Sequence, residues 1–196
     1  PNVRGSSGFG KTFLKADDGV NRHRSYQDIG ALLDWIKTRP DLDGDRILVT
    51  GGSYGGHMTL VAATQYNDRI RASVAVAAIS SLVSNLEHTE SYRRDLRRAE
   101  YGDERDPKIR QYMNELSPMA LVGNIKKPMF VIHGENDPRV PVSEAHQIVD
   151  AARANKVPVW LLLGKNEGHG FARKSNVDFQ FYSTIQFVRQ YLLAGQ

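Results

Sequence analysis

The sequence contains no cysteine, and it has no long uninterrupted hydrophobic run. The absence of cysteine excludes disulfides, thiolate nucleophiles and thiolate metal sites. We expect a cytoplasmic protein, although a missing residue type says little about compartment. No apolar stretch approaches the roughly 20 residues that cross a bilayer, and the first residues lack the apolar core of a signal peptide. We therefore expect no membrane partner.

Hydrophobic residues make up 40% of the chain and charged residues 24%, a balance typical of a globular protein. The 196 residues suffice for one domain with a substantial core, and we expect 1–196 to form a single domain. The formal net charge is +4, and Arg93, Arg94, Arg97 and Arg98 supply much of the excess. No aromatic platform for stacking bases accompanies them, so we interpret them as a solvated helix face and expect no nucleic-acid partner.

Short apolar runs alternate with longer amphipathic segments along the chain. Runs that are rich in β-branched residues and bounded by turn residues predict four strands, at 46–50, 72–79, 129–133 and 159–163. Their continuous apolar character favours burial on both faces, as in a parallel sheet. Helical spacing predicts helices at 25–38, 55–66 and 178–193, and a further one capped by Ser143.

This alternation indicates an α/β fold. The polar segment at about 84–119 has no strand signal, and we expect a helical excursion between two strands. The helix at 178–193 carries more aromatic and aliphatic residues than one stripe needs, so we expect it to be well buried.

The segment GGSYGG, residues 51–56, lies between a predicted strand and a predicted helix. A dinucleotide-binding motif needs glycine where Ser53 stands, and a P-loop needs lysine where His57 stands. Residues 51–55 match G-x-S-x-G, the nucleophile elbow, whose strained turn exposes a serine hydroxyl above the sheet. The pattern predicts Ser53 as a nucleophile, with Gly51 and Gly55 relieving the crowding. A glycine-rich turn with an incidental serine is the alternative.

A serine nucleophile needs a base to take its proton. His169 is the favoured histidine, because it lies between two glycines in a loop after the last predicted strand; a loop histidine without catalytic role is the alternative. Asp137 is the favoured acid, since it follows another predicted strand and Pro138 stiffens its backbone, while Glu135 is the rival. The order serine, aspartate, histidine is that of α/β-hydrolases.

These motifs together resemble the catalytic domain of the prolyl oligopeptidase family of serine peptidases. The residues that carry the resemblance are distributed along the whole chain, at 2–6, 8–10, 45–47, 52–56, 133–137, 139–141 and 168–171. The resemblance implies an α/β-hydrolase fold and acyl-enzyme chemistry without a cofactor or metal. It also implies Ser53 as the nucleophile, His169 as the general base and Asp137 as the group that orients the imidazole.

The same resemblance suggests further roles around the site. The backbone N–H of Tyr54 would donate to the oxyanion, and Arg139 matches a position where some members hold a substrate carbonyl with arginine and others use asparagine. We interpret Ile79, Leu82 and Val140 as pocket wall. The implied substrates are short peptides or N-acyl amino acids. A carboxylesterase with the same triad, and a non-catalytic interaction module, are the alternatives.

Members of the family carry further strands before the segment that matches residues 2–6, and usually a β-propeller before those. We therefore expect a fragment with a partial α/β-hydrolase fold, the C-terminal half of a mostly parallel sheet flanked by helices. The strand before Ser53 would be an exposed edge, which invites pairing. We expect a second copy of the chain, as a homo-oligomer, or a missing N-terminal segment to cover it. The second oxyanion donor would also lie upstream, so we expect weak hydrolysis.

Overall fold

A four-stranded parallel sheet is the centre of the computed structural model, which describes residues 1–193. The strands follow one another across the sheet in chain order: β1 Leu48–Gly52, β2 Ala72–Val76, β3 Met129–Gly134 and β4 Val159–Gly164. All neighbouring strands pair parallel. β3 is buried along its length and β2 nearly so, whereas β1 and β4, the edges of the described sheet, are partly exposed.

The four predicted strands are all present, with shifted ends. β2 ends at Val76 and not at Ile79, because the chain turns at Ala77, whose φ of 45° is incompatible with a strand. The short positive-φ turn after β2 matters for the site, since it brings the Ile79 carbonyl within hydrogen-bonding distance of His57 in the helix that precedes β2.

Helices precede, separate and follow the four strands. Their bounds are α1 Lys11–Leu14, α2 His23–Lys37, α3 Tyr54–Gln65, α4 Leu82–His88, α5 Ser91–Tyr101, α6 Pro107–Leu116, α7 Ser143–Ala154 and α8 Lys174–Tyr191. The segment between β2 and β3 contains α4, α5 and α6, as the polar pattern predicted. Within residues 1–193, none of these helices has the length and apolar character to cross a lipid bilayer.

The core has one layer on each face of the sheet. Alternate residues of a strand point to opposite faces. On one face Val131 of β3 packs with apolar residues of α2, α3 and α7, among them Leu33, Val61 and Ile148. On the other face Phe130 packs with Phe187 of α8. The parallel sheet is therefore covered on both sides, as its apolar strands predicted.

The prediction that the last helix is well buried is wrong. Phe187 is fully buried, but Phe179 and Tyr182 are exposed by 62% and 65%. Phe187, on the inner face of α8, packs against Phe130 and Trp160 of the sheet. The sheet therefore covers only one face of the helix. Phe179, Phe181 and Tyr182 therefore remain largely exposed.

The prediction that Ser143 caps α7 is also wrong. Ser143 is the first residue of the helix, Val142 occupies the N-cap position, and no side chain there accepts a hydrogen bond from the helix. Pro141 starts the turn one step earlier, because its carbonyl accepts the Glu144 N–H at 2.9 Å. The serine hydroxyl is consequently exposed.

Candidate active site

Ser53 occupies a strained turn between β1 and α3. Its backbone angles are φ 57° and ψ −120°, a region that residues other than glycine rarely adopt. Its N–H donates to the Val76 carbonyl at 2.9 Å, and its own carbonyl accepts the His57 N–H at 3.0 Å. These two bonds fasten the turn to β2 and α3, and so hold the serine in the strained conformation that G-x-S-x-G predicted.

The glycines around Ser53 have unequal reasons to be there. A Cβ on Gly51 would overlap the Gly55 backbone, and one on Gly56 would lie 2.7 Å from the Val76 carbonyl oxygen. Gly55 itself has open space where its Cβ would be. Crowding therefore requires glycine at position 51, as predicted. The second position where crowding requires glycine is 56, and the prediction of Gly55 for that role is wrong.

α3 starts directly after the serine and presents its N-terminus to it. The N–H of Tyr54, the first helical residue, has no acceptor within the helix. This N–H and the positive end of the helix dipole suit an oxyanion that forms on a group attached to Ser53.

His57, in the first turn of α3, supports the turn at Ser53. The sequence analysis assigned it no role. It is fully buried, with Nδ1 2.8 Å from the Ile79 carbonyl oxygen and Nε2 2.5 Å from the Tyr26 hydroxyl. Burial lowers the pKa of His57 to about 4, so the imidazole is neutral near pH 7. It joins α2, α3 and the turn after β2, and it acts as a support and not as a base.

Asp137 and His169 form a hydrogen-bonded pair, as the sequence analysis required of a base and its orienting acid. His169 Nδ1 lies 2.7 Å from Asp137 Oδ2, which places the proton on Nδ1 and leaves Nε2 as the basic nitrogen. Asp137 Oδ1 accepts the N–H groups of Arg139 and Val140 at 2.8 and 3.0 Å. Burial raises the pKa of Asp137, but these hydrogen bonds outweigh burial and hold it below the ordinary value.

The loop after β4 crosses the end of β3 to bring His169 to Asp137. The Asn136 N–H donates to the Glu167 carbonyl at 2.9 Å, and Gly134 leaves no room for a Cβ beneath Gly168. The buried Glu167 carboxylate accepts N–H groups at the start of α8, which fixes the far side of the loop. Glu135, the rival acid, is exposed, and among the described residues His169 forms its ion pair with Asp137 and not with Glu135.

The carboxyl ends of parallel strands lie at one edge of a sheet, so Ser53 after β1, Asp137 after β3 and His169 after β4 share that edge. Among the described residues, the Ser53 hydroxyl makes no hydrogen bond to His169. His133, at the end of β3, is buried under the pair, with Nε2 2.9 Å from the Val140 carbonyl oxygen. Burial lowers its pKa, and its ring supports the Asp137 loop.

A narrow cavity of about 40 Å³ opens beside Ser53. Arg139, Val140 and Ile79, all predicted substrate-binding residues, line it together with residues of α4 and α5. Leu82 does not line it, because the first residue of α4 is fully buried against Tyr101 and neighbouring apolar side chains.

The arginines of α5 differ from the solvated face that the sequence predicted. Arg93 and Arg97 line the cavity beside Ser53. Arg98 is paired with Glu104, and Arg94 Nε donates to the Thr89 carbonyl at 3.1 Å. The excess positive charge of this helix is therefore directed in part at the candidate site.

A buried arginine holds the Tyr54 side chain, and no motif pointed to it. Arg22 is 1% exposed, pairs with Asp17 at 3.2 Å and donates to the Tyr54 hydroxyl and to the Glu100 carbonyl. Its guanidinium also lies over the Tyr101 ring, 4.8 Å from the centroid. Arg22 thereby connects the segment before α2 to α5 and fixes one wall of the cavity.

Comparison with family models matches the description "Prolyl oligopeptidase family" over residues 1–194. The chain belongs to the prolyl oligopeptidase family. It is 35% identical over 179 residues to dipeptidyl aminopeptidase BIII of Pseudoxanthomonas mexicana, with 89% of this chain and 26% of that protein covered. It is 33% identical to dipeptidyl peptidase family member 6 of Caenorhabditis elegans, with 100% of this chain and 27% of that protein covered.

Solved structures agree on the fold. An acylaminoacyl peptidase of Pyrococcus horikoshii superposes with a TM-score of 0.88 at 23% identity, over 100% of this chain and 32% of that one. A puromycin-hydrolyzing peptidase of Mycobacterium tuberculosis gives 0.88 at 26% identity, over 97% of this chain and 29% of that one. The chain thus has the α/β-hydrolase architecture of these peptidases, and it spans about a quarter of the length of the curated relatives.

Proposed function

We propose that this chain carries the catalytic residues of a serine peptidase that transfers an acyl group to water through an acyl-enzyme on Ser53. The observation that carries the proposal is the pairing of a strained serine elbow with an Asp137–His169 hydrogen bond at the same edge of the sheet. Family membership supports it, because the matched relatives are dipeptidyl and acylaminoacyl peptidases.

Each residue has a defined task in this reaction. His169 Nε2 takes the proton of the Ser53 hydroxyl as the oxygen attacks the substrate carbonyl, and later gives it to the leaving amine. Asp137 keeps the other proton on Nδ1 and stabilises the imidazolium that forms. The Tyr54 N–H donates to the oxyanion. Since catalytic hydrogen bonds often tighten only in the substrate complex, the proposal requires Nε2 to reach the serine hydroxyl in that complex.

The substrates that suit this arrangement are short peptides or N-acyl amino acids. The relatives named as aminopeptidases and as acylamino-acid-releasing enzymes favour these over long polypeptides. A carboxylesterase would use the same three side chains. A panel of aminoacyl, dipeptidyl and N-acetyl nitroanilides beside nitrophenyl esters separates the two, because a peptidase cleaves at least one amide while an esterase cleaves only the esters.

A fluorophosphonate probe tests the proposal directly, since it reacts with a serine only where a base activates the hydroxyl. We expect labelling of the folded chain and its loss in Ser53→Ala. Ser143→Ala removes an exposed serine from another helix and is the matched control, which should label like the wild type. A folded protein that does not label would contradict the proposal and favour a non-catalytic interaction module.

A further inference from the structure

The cavity beside Ser53 has a one-sided charge. Arg93 and Arg97 of α5 and Arg139 of the loop after β3 line it, and no aspartate or glutamate does. Three like charges in a narrow cavity repel one another, and among the described residues only Arg97 has an acidic partner. This arrangement favours a ligand that brings a negative charge.

The three guanidinium groups differ in the partners that they already have within the protein. Arg97 pairs with Glu100 at 2.5 Å and lies over the Tyr101 ring. Arg93 makes no ion pair and no side-chain hydrogen bond within residues 1–193; its contact is the ring of Tyr92, 6.0 Å from the centroid. The Arg139 side chain is exposed and likewise has no acidic partner in the described chain. Arg93 and Arg139 are thus available to a ligand.

Asn85 adds a second and independent observation. Its side chain lines the same cavity, the residue is only 3% exposed, and Oδ1 is buried without a hydrogen-bond partner among the described residues. A buried acceptor without a donor costs free energy, and its place in the wall of the cavity lets a ligand supply the missing partner. Because Oδ1 accepts hydrogen bonds, it cannot bind a carboxylate itself; the amide binds one only when it turns about its last bond and its NH₂ group donates to a carboxylate oxygen.

The size of the cavity limits the ligand. A volume of about 40 Å³ has room for a small polar group and not for an aromatic side chain. A carboxylate is small, planar and matched to the fork of an arginine. Bulky apolar groups fit this volume less well.

We infer that the cavity beside Ser53 selects a carboxylate on its ligand, with Arg93 as the selecting residue. Under the proposed function, on which this inference rests for its substrate, the carboxylate belongs either to an acidic side chain of the residue being acylated or to the free α-carboxyl group of a short peptide. Both sources present the same chemistry to Arg93 and differ in where the carboxylate is attached.

Three small probes separate the sources by NMR titration of the full chain, a measurement that needs no turnover. N-acetylglutamate α-amide carries only the side-chain carboxylate, N-acetylglutamine only the α-carboxylate, and N-acetylglutamine α-amide carries neither. A charge-assisted bond in a half-exposed site is worth roughly tenfold in affinity. We expect one of the two anionic probes to bind about tenfold more tightly than the neutral one, and this preference to weaken as salt rises.

Variants of α5 and of the loop after it make the test specific. Arg93→Gln should abolish the preference for the anionic probe, and Arg93→Lys should keep part of it, since lysine retains the charge but loses the fork. Arg105→Gln removes the same charge from an exposed arginine that pairs with Asp103 outside the cavity, and should keep the full preference.

The outcomes separate this inference from the proposed function. Equal binding of the three probes to wild type, or an unchanged preference in Arg93→Gln, would overturn the carboxylate site even where Ser53 labels with fluorophosphonate. The opposite result is also informative. If the protein prefers an anionic probe through Arg93, and salt weakens that preference, but fluorophosphonate does not label Ser53, then the carboxylate site is supported and the proposed hydrolase activity is contradicted.

Discussion

Asp137 and Glu144 are two buried carboxylates that follow β3, and their surroundings differ in kind. Asp137 accepts hydrogen bonds from the His169 imidazole and from two backbone N–H groups. Glu144, in the first turn of α7, accepts the N–H groups of Ser80 and Ser81 at 2.9 and 2.8 Å and the hydroxyls of Ser80 and Ser84. Both are well supplied with donors, but only Asp137 has a partner that can itself become charged.

This difference decides the direction of the two pKa shifts. Burial raises the pKa of Glu144, and hydrogen bonds from Ser84, Ser81 and Ser80 do not offset it fully. Burial acts in the same direction on Asp137, but the imidazole and backbone bonds reverse the outcome. Burial therefore disfavours the ionised form of Glu144, which tethers α7 to the turn after β2, whereas the surroundings of Asp137 favour the ionised form that holds an imidazolium.

The largest difference between the two acids should appear in turnover. In Asp137→Asn the amide cannot hold the His169 proton on Nδ1 as the carboxylate does, so kcat/KM for an ester should fall by about 10⁴-fold. Glu144→Gln lies outside the site and should lose less than about tenfold, a modest positioning effect of the kind expected away from the reacting atoms. Steady-state hydrolysis of a nitrophenyl ester measures both. Equal losses would mean that Asp137 contributes only to folding.

The stability of the fold should depend on Glu144 as well. Glu144→Ala leaves the buried Ser80 N–H and the half-buried Ser81 N–H without an acceptor, each worth about 1–3 kcal/mol, so the free energy of unfolding should fall by roughly 2–6 kcal/mol. Glu144→Gln should cost less, because its amide oxygen can still accept from Ser80 and Ser81. Urea denaturation measures the three proteins. A loss below about 1 kcal/mol in Glu144→Ala would show that the loop repacks around the missing carboxylate.

The contrast also shows what the sequence could predict. Ser53, Asp137 and His169 were predicted because each is surrounded by local signals: glycines that permit a strained turn, a proline that stiffens a loop, and a preceding apolar strand. The four strands were predicted for the same reason, since apolar patterning is a property of neighbouring residues. The helical segment that contains α4 to α6 was predicted because it is polar and has no strand signal.

The supporting residues were not predicted, because their partners are distant in the chain. Arg22 contacts the Glu100 carbonyl, and Glu144 contacts Ser80; neither pairing has a local signature. The exposed face of α8 was missed for a related reason. An aromatic-rich helix predicts burial, but how much surface the sheet offers depends on Phe130 and Trp160, which lie far away in sequence.

A smaller effect concerns pH. The folded pKa of Glu144 is raised, so the folded protein binds more protons than the unfolded one just above the ordinary glutamate pKa, and stability falls as pH rises through that window. The folded pKa of Asp137 is lowered, so its contribution is present above the ordinary aspartate pKa and is lost as pH falls through the lowered value. Denaturation at a series of acidic pH values should therefore show opposite slopes when wild type is compared with Glu144→Gln and with Asp137→Asn. Slopes of the same sign would mean that one of the two shifts has the wrong direction.

The smallest expected effect tests whether the start of α7 depends on Glu144 or on its neighbour. Ser143 is exposed and caps nothing, so Ser143→Ala should change the free energy of unfolding by less than about 0.5 kcal/mol. Asp106 is a genuine cap, since its carboxylate accepts the N–H groups of Lys108 and Ile109 at 2.8 and 3.2 Å, and Asp106→Ala should cost about 1 kcal/mol. Thermal or urea unfolding of the pair measures both. If Ser143→Ala costs as much as Asp106→Ala, then the hydroxyl caps α7 in solution, and the stability assigned to Glu144 would have to be shared with it.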